Sequence, residues 1–302
     1  MHKEFLMGNA AIALGAVAAG VNVVAGYPGT PSTEVLETIA KHRPDDVYVE
    51  WSVNEKAAME LAAGASYAGA RSMVTMKQVG LNVASDPLMS LEYVGIKGGM
   101  VILVADDPGP ISSQTEQDTR HFSRFSKLPC FDPSSAQEAY EMIQEAFEYS
   151  EKYGTPVFLR PTTRVCHGYA SIMVKDETEY THHQPEGFIK DSKRWVIFPR
   201  LSFMNHKKIE ARNQELSDIF SSYEKNTIHP SCDAFKDSKK GIATGGISYT
   251  YTMETLKKTG MVKTLKIATP HPFPEKLAVD FLSGLDEVLC LEELDPVIER
   301  EL

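Results

Sequence analysis

A regular alternation of helical and strand-like segments between residues 5 and 160 is the feature that most constrains the fold. Short apolar runs predict buried strands at 21–25, 47–51, 72–76, 100–105 and 155–160. The segments between them have helical length and periodicity, at about 5–19, 53–69, 81–93 and 136–152. Parallel strands joined by right-handed helical crossovers are covered by helices on both faces. The sequence therefore predicts an α/β fold with a mainly parallel, doubly wound sheet over residues 1–170.

The pattern changes after this first unit. Residues 171–238 are more charged, and we interpret them as a loosely packed connector with one amphipathic helix at 207–225. A second α/β pattern occupies 239–302, with strands at 241–244, 263–268 and 287–291. Three strands are few for an independent sheet, so we predict a small, incomplete α/β domain there.

Composition excludes several classes of protein. The chain of 302 residues has 31 Lys and Arg against 41 Asp and Glu, a net charge of −10. Nucleic-acid binding needs clustered cations that neutralise phosphates, so we expect no nucleic-acid partner. The apolar run at 10–21 is shorter than the about 20 residues that cross a bilayer, so we expect no membrane association.

The cysteines and histidines do not form a metal-binding pattern. Cysteines stand at 130, 166, 232 and 290, without the spacing of an iron–sulfur or structural zinc site. His182, His183 and His271 also have no ligand partners at useful spacing. We expect no metal site in this chain, no disulfide framework and a cytoplasmic location.

The first candidate site is YPGTPST at 27–33, directly after a predicted strand. Ligands of open α/β sheets bind at the carboxyl ends of strands, where glycine allows close approach and a helix N-terminus offers free N–H groups. Thr30 is expected to cap a helix that starts at Pro31. An ordinary strand–turn–helix junction is the alternative.

Glu55 is the second candidate, and two roles are open to it. Ser52 and Glu55 have the spacing of a capping box before an apolar helix. The other role is that of a partly buried carboxylate at a strand end, available for proton transfer.

Two further segments follow strands. Gln78 and Asn82, in KQVGLN at 77–82, are expected to direct amide groups towards the same rim, with Gly80 making room, although turn chemistry explains them equally well. The polar stretch 106–120 has no periodicity, and an unstructured segment of this length in a compact domain is usually functional. We interpret it as a loop that lines a substrate pocket, with solvated surface as the alternative.

Six stretches of the sequence together resemble the alpha subunit of indolepyruvate ferredoxin oxidoreductase, a thiamine-diphosphate enzyme. They are VVAGYPGTPSTEVLE (23–37), VEWSVNEKAAMELAAGASYAGARS (49–72), TMKQVGLNVASDPLMS (75–90), VADDPGPISSQTEQDTRHF (104–122), FLRPTTRVCH (158–167) and LEELDPVIEREL (291–302). The resemblance spans nearly the whole chain and is weakest in the connector.

The resemblance implies an enzyme that converts arylpyruvates, CoA and oxidised ferredoxin into arylacetyl-CoA, carbon dioxide and reduced ferredoxin. Residues 1–170 would be its pyrimidine-binding domain, and 239–302 the start of a transketolase-C-terminal-like domain. Glu55 matches the carboxylate that touches N1′ of the cofactor's aminopyrimidine. The implied cofactor contacts are Tyr27, Pro28, Gly29, Thr30, Gln78 and Asn82, and the implied substrate contacts are Thr30, Gln114 and Arg120.

The implied role of Glu55 is chemically sound. A protonated carboxyl hydrogen-bonded to the ring nitrogen favours the imino tautomer, whose exocyclic nitrogen can take the C2 proton. Positioned acid–base groups contribute about 10²–10⁴-fold to a rate.

The sequence also departs from the family pattern. Family alpha subunits continue into a diphosphate- and Mg²⁺-binding domain and a Cys-rich ferredoxin-like segment, and neither is present in this sequence. We expect the chain to bind only the aminopyrimidine side of thiamine diphosphate, without Mg²⁺ or the 4Fe–4S clusters of the full enzyme, and to be inactive alone. It would be a shortened form, a gene fragment or one member of a split enzyme.

The expected partners follow from the resemblance. They are the diphosphate-binding or ferredoxin-like segment, a second oxidoreductase subunit, ferredoxin, arylpyruvate and CoA, in a homo- or hetero-oligomer. The alternatives are a non-catalytic remnant or interaction module that binds family subunits, and a nucleotide-binding oxidoreductase, which the missing G-x-G-x-x-G motif disfavours.

Overall fold

Three sheets organise the chain, which a computed structural model describes over residues 1–302. Their strands are β1 (His2–Met7), β2 (Val23–Gly26), β3 (Tyr48–Trp51), β4 (Ser72–Lys77), β5 (Met100–Ala105), β6 (Cys130–Phe131), β7 (Val157–Leu159), β8 (Tyr169–Val174), β9 (Thr227–His229), β10 (Lys240–Gly245), β11 (Lys263–Ile267) and β12 (Glu287–Leu291).

Helices connect these strands throughout the chain. They are α1 (Gly8–Ala18), α2 (Thr33–His42), α3 (Glu55–Tyr67), α4 (Gln78–Val94), α5 (Thr119–Ser126), α6 (Ala136–Tyr153), α7 (Thr163–His167), α8 (Ser192–Trp195), α9 (Pro199–Phe220), α10 (Gly246–Thr259), α11 (Glu275–Leu282) and α12 (Val297–Glu301). None of them combines the length and the apolar composition that crossing a bilayer requires.

The largest sheet has six parallel strands in the order β3-β2-β4-β5-β7-β6. Strand β5 is buried along its whole length, and its successive side chains point to opposite faces. Val101 and Leu103 pack into a core with α1, α2 and α6, whereas Ile102 and Val104 pack into a second core with α3 and α4. The predicted doubly wound α/β fold is therefore confirmed.

The N-terminus differs from the prediction of a helix from residue 5. Residues 2–7 form β1, which pairs antiparallel with β8 from His2 opposite Val174 to Met7 opposite Tyr169. Helix α1 begins only at Gly8, where an added Cβ would lie 1.8 Å from the Val165 carbonyl oxygen. The strand was missed because its partner lies far along the chain.

The second sheet has four strands, in the order β12-β10-β11-β9, and the prediction of three was wrong by one. Strand β9 lies in the predicted connector and pairs antiparallel with β11. Helix α9 spans 199–220, and Leu216 and Phe220 on it are buried in the core of the large sheet. This part of the connector is therefore tightly packed, while the domain limits at 170 and 238 stay predictions.

Two glycines in helices provide a test of the packing. A Cβ at Gly15 in α1 would lie 2.5 Å from Ile143 Cγ2 and 2.6 Å from the Tyr140 carbonyl oxygen, both in α6. We expect Gly15→Ala to lower the free energy of unfolding by about 1–3 kcal/mol through overpacking. At Gly64 in α3 a Cβ would meet nothing within 4 Å, so Gly64→Ala should raise it by about 0.5–1 kcal/mol.

Urea unfolding of the two variants beside the parent chain measures both changes. Equal effects of the same sign would contradict the close contact between α1 and α6.

Candidate active site

The large sheet has a topological switch point between β2 and β4. The connection from β2 runs through α2 to β3 on one side, and the connection from β4 runs through α4 to β5 on the other. A crevice forms where neighbouring connections diverge, outside the carboxyl ends of the strands, and ligands of such sheets bind there. The turn at 27–32 and the first turn of α4 follow β2 and β4 at this switch point, and the space outside these strand ends is named the crevice.

The turn after β2 is closed by its own side chains. The Gly29 N–H donates to Thr33 Oγ1 over 2.9 Å, and Ser32 Oγ donates to the Gly29 carbonyl over 2.9 Å. Helix α2 consequently begins at Thr33, and the predicted cap by Thr30 is wrong. Thr30, Tyr27 and Pro28 are exposed, and a Cβ at Gly29 would lie 3.1 Å from Lys77 Cγ. The turn therefore lies against the end of β4.

Glu55 is the first residue of α3, and it does not close a capping box. The cap is Asn54, whose side chain accepts a hydrogen bond from the Ala57 N–H over 2.9 Å, and Ser52 Oγ donates to Glu50 over 3.0 Å. The half-buried Glu55 carboxylate has no hydrogen-bond donor of the protein as a partner, and it lies against Gly80 in α4. A Cβ at Gly80 would come within 2.5 Å of Glu55 Oε1, so only glycine leaves room for this carboxylate.

The two predicted amides lie on the first turns of α4. Gln78 is 1% exposed, and its Nε2 donates to the Thr115 carbonyl over 3.2 Å. Its Oε1 is buried without a hydrogen-bond partner. Asn82 Nδ2 donates to Gln117 Oε1 over 3.1 Å.

The polar loop after β5 reaches the turn at 27–32 and the first residues of α4. Ser112 Oγ donates to the Thr30 carbonyl over 3.3 Å, and Lys77 Nζ donates to Gln114 Oε1 over 3.4 Å. Asp107 holds the loop in this position. Although burial acts in the opposite direction, hydrogen bonds from Ser112 and Thr163 keep the pKa of Asp107 below its usual range.

Arg120 does not join this group. It is buried at the junction with the second sheet, where it donates to Asp118 over 2.6 Å, to Glu292 over 2.7 Å and to the Glu293 and Asp295 carbonyls over 2.8 Å. All three guanidinium nitrogens are thus engaged by acceptors of the chain. We correct the substrate-binding hypothesis for Arg120, because its donors are already used to hold residues 292–295.

A second buried arginine completes an ionic cluster with Arg120. Arg160 Nε lies 2.6 Å from Asp106, and Arg160 Nη1 lies 3.3 Å from Asp132. Burial raises the pKa of Asp132 to about 6 although Arg160 and Arg120 lower it. For Asp118, burial also acts upwards, but the charges of Arg160 and Arg120 prevail and hold the pKa at about 2.

One group of three potential metal ligands exists near this cluster, at Asp118, His121 and Asp295. Asp118 is bonded to Arg120, and His121 Nε2 lies 2.7 Å from Asp295 Oδ2, so the three side chains already have partners. The absence of a metal site from this chain stays a prediction.

The loop 106–120 and Gln114 were predicted for the site, whereas Lys77, Ser112, the Thr115 carbonyl and Gln117 were not. Lys77 contacts both Gly29 and Gln114, and its position as the last residue of β4 was the available signal. The loop carbonyls had none, because backbone oxygens leave no trace in a sequence. Around the site, Tyr27, Trp51, Val53 and Ile111 present exposed apolar surface, with Val53 83% and Ile111 71% exposed.

The fold is that of a thiamine-diphosphate-binding domain. The chain belongs to the family described as pyruvate flavodoxin/ferredoxin oxidoreductase, thiamine diphosphate-binding, whose model matches residues 14–231. The resemblance noted from the sequence is thereby confirmed.

Relatives named indolepyruvate oxidoreductase subunit IorA match almost the full chain. The protein of Methanothermobacter thermautotrophicus is 44% identical over 305 residues, which are 99% of this chain and 48% of the relative. That of Pyrococcus abyssi is 42% identical over 307 residues, 100% of this chain and 47% of the relative. The chain thus spans about half the length of the curated relatives it matches, which are subunits of oxidoreductases.

Solved structures agree on the fold. The 2-oxoglutarate:ferredoxin oxidoreductase from Magnetococcus marinus, solved with 2-oxoglutarate, coenzyme A and succinyl-CoA, has a TM-score of 0.79 at 18% identity. The alignment covers 97% of this chain and 58% of that one. A split-gene transketolase aligns with a TM-score of 0.59 at 15% identity over 95% of this chain and 78% of that one.

The corrected role of Arg120 leads to a stability prediction. Arg120→Leu removes the cation from the buried Glu292 carboxylate and leaves Asp118 with Arg160 alone, at 3.7 Å, so the free energy of unfolding should fall by about 3–5 kcal/mol. Arg124→Leu is the control, because Arg124 is 62% exposed and pairs only with Glu301, which limits its loss to less than about 1 kcal/mol. Thermal and urea unfolding measure both. A small loss for Arg120→Leu, equal to that of the control, would contradict a structural role.

Proposed function

We propose that the chain is the aminopyrimidine-binding part of a thiamine-diphosphate-dependent 2-oxoacid:ferredoxin oxidoreductase that acts on arylpyruvates such as indolepyruvate. The observation that carries this proposal is the Glu55 carboxylate, which lies against Gly80 beside the switch-point crevice and has no protein partner. The names of the half-length relatives support the substrate class.

The residues of the crevice fit an aminopyrimidine. Such a ring presents a nitrogen acceptor and an amino donor, and it needs a flat space between protein groups. Glu55 is available to share a proton with the N1′ atom, and Gln78 Oε1 is an acceptor without a protein donor. Gly29 and Gly80 provide the space, since a Cβ at either position would meet a neighbouring side chain at 3.1 Å or less.

When bound, thiamine diphosphate would supply the nucleophilic carbon and the electron-accepting ring that decarboxylation of a 2-oxoacid needs. Glu55 holds a proton at N1′, and its fixed position on α3 determines which ring atom receives it. The loop at 106–118 shields the crevice from water, because it bonds to the 27–32 turn and to α4 on opposite sides.

The substrate carboxylate needs positive charge, and Lys77 is the cation of the crevice. Its Nζ lies 3.4 Å from Gln114 Oε1, and its side chain packs along Gly29. We assign substrate contacts to Lys77, Gln114 and the exposed hydroxyl of Thr30, which share this side of the crevice.

Turnover requires groups that this chain does not supply. We propose that the exposed apolar side chains around the site, Tyr27, Trp51, Val53 and Ile111, pack against a diphosphate- and Mg²⁺-binding unit. Iron–sulfur clusters, ferredoxin, CoA and a second subunit would complete the enzyme, and the isolated chain would be inactive. The four cysteines are free thiols, in keeping with the cytoplasmic location that we propose.

Replacement of Glu55 tests the proton-transfer role. In the enzyme reconstituted with a diphosphate-binding unit, Glu55→Gln should slow hydrogen–deuterium exchange at C2 of bound thiamine diphosphate by about 10²–10⁴-fold, because the amide cannot supply the proton. Gly80→Ala should cause a comparable loss by displacing the carboxylate. Proton NMR of the quenched cofactor measures the exchange rate.

Glu60→Gln is the matched control, since Glu60 is exposed on the same helix. Unchanged melting temperatures show that the variants fold. Exchange at the parent rate in Glu55→Gln would refute the assignment.

Activity of the reconstituted enzyme separates the proposal from a non-catalytic remnant. Purified chain combined with a separately expressed diphosphate-binding unit should reduce a viologen dye when indolepyruvate and CoA are added, and each component alone should not. Stable association of the two without indolepyruvate-dependent reduction would favour the interaction module.

A further inference from the structure

Residues 187–212, here named the basic segment, have a charge opposite to that of the whole chain. They contain seven basic residues, at 190, 193, 194, 200, 207, 208 and 212, against the two acids Asp191 and Glu210. The segment therefore has a net charge of +5, seven minus two, within a chain of net charge −10. It includes α8 and the first two-thirds of α9.

Most of these cations have no acidic partner in the chain. Arg212 pairs with Glu92 over 3.4 Å, but the other six, Lys190, Lys193, Arg194, Arg200, Lys207 and Lys208, have no carboxylate within 4.0 Å. About half of the lysines elsewhere in the chain have a carboxylate partner, as Lys225 has in Glu145 at 2.6 Å. The unpaired charges give the surface of the basic segment a positive potential, which an acidic surface would neutralise.

The same segment exposes large apolar side chains between its cations. Phe188 is 54%, Val196 55% and Phe203 61% exposed, and Ile189, Ile197, Phe198 and Met204 are exposed as well. Soluble proteins rarely expose apolar groups in this density unless the surface binds something. Protein–protein interfaces are enriched in aromatic side chains, methionine and arginine, and they have charged groups at the edge.

The surface around the basic segment is concave. A groove of about 1000 Å³ lies between Phe203 and Ile197 on one side and Met89, Phe122 and Phe125 on the other. A second groove of about 590 Å³ is lined by Val196, Phe198, Leu201 and Met204. Grooves accept the protruding side chains of a protein, whereas a bilayer surface is flat.

We propose that the basic segment is the docking surface for an acidic partner subunit of the oxidoreductase, and this inference rests on the proposed function. A second copy of this chain, docked face to face, would place the unpaired cations of both copies against each other and is disfavoured by repulsion. A partner with carboxylates around an apolar ridge satisfies both the charge and the grooves.

Binding of the separately purified second subunit of the enzyme tests the proposal. We expect Lys193→Glu combined with Lys208→Glu to weaken its affinity for the chain by about tenfold or more at 50 mM salt, and by less at 500 mM, because salt screens the attraction. Phe203→Ala combined with Met204→Ala should weaken binding to a similar degree at both salt concentrations. Calorimetric titration without cofactor or substrate measures the affinities.

Two matched variants serve as controls. Lys236→Glu with Lys257→Glu makes the same charge change elsewhere on the surface, and Tyr251→Ala with Val279→Ala removes exposed apolar groups elsewhere. Both should bind like the parent chain, and circular dichroism should show that all four variants fold.

Several outcomes would overturn the proposal. The first is that the parent chain does not bind the subunit, and the second is that both variants of the basic segment bind it like the parent. The third is that the parent, but neither of these variants, binds phosphatidylglycerol vesicles. Because binding is measured without catalysis, an inactive but assembled enzyme would refute the proposed function and leave the docking surface intact.

Discussion

The buried ionic cluster of Arg160 and Arg120 is the interaction on which the arrangement of the chain depends. Arg160 extends from the end of β7 and neutralises Asp106, at the end of β5, and Asp132, just after β6. Arg120 continues the cluster to Glu292, after the last strand of the second sheet. Because buried charges are stable only when paired, the two sheets are fixed relative to each other wherever these pairs form.

The same cluster closes the base of the loop that covers the candidate site. Asp106 at the start of the loop accepts hydrogen bonds from the Thr119 N–H and hydroxyl, just beyond its end. Asp118, one residue earlier, is held by Arg120. With both ends held, the exposed middle of the loop can contact Thr30, Gln78 and Asn82 without regular structure of its own. Buried acids thus anchor the two ends of the segment, and the groups between them that contact the site are neutral: Ser112 Oγ, the Thr115 carbonyl and the Gln117 side chain.

The elements that the sequence predicts correctly are those whose structure depends on a local pattern of residues. The short apolar run at 287–291, for example, predicted the strand that the structure has there. Prediction from the sequence failed where distant segments decide the outcome, as for β1, whose partner is β8, and β9, which joins the edge of a sheet formed later in the chain. The substrate-binding hypothesis for Arg120 failed for the same reason. Its guanidinium donors are hydrogen-bonded to Glu292 and to the carbonyls of residues 293 and 295, which lie far along the chain. The role of Glu55 in the site stays a prediction, while its neighbour Asn54 performs the capping that the spacing ascribed to Glu55 and Ser52.

Capping by Asn54 leaves the Glu55 carboxylate free for the acid–base role that we propose. A carboxylate that closed a capping box would be tied to backbone N–H groups and unavailable to a ligand. Here Asn54 satisfies the helix end, and the ion pair of Lys56 with Asp86, at 2.8 Å, joins α3 to α4. The alanine-rich face of α3, with Ala58, Met59 and Ala62, is buried in the core that it shares with α4. The carboxylate is therefore positioned by its helix and by Gly80, while both of its oxygens stay available to bind a ligand.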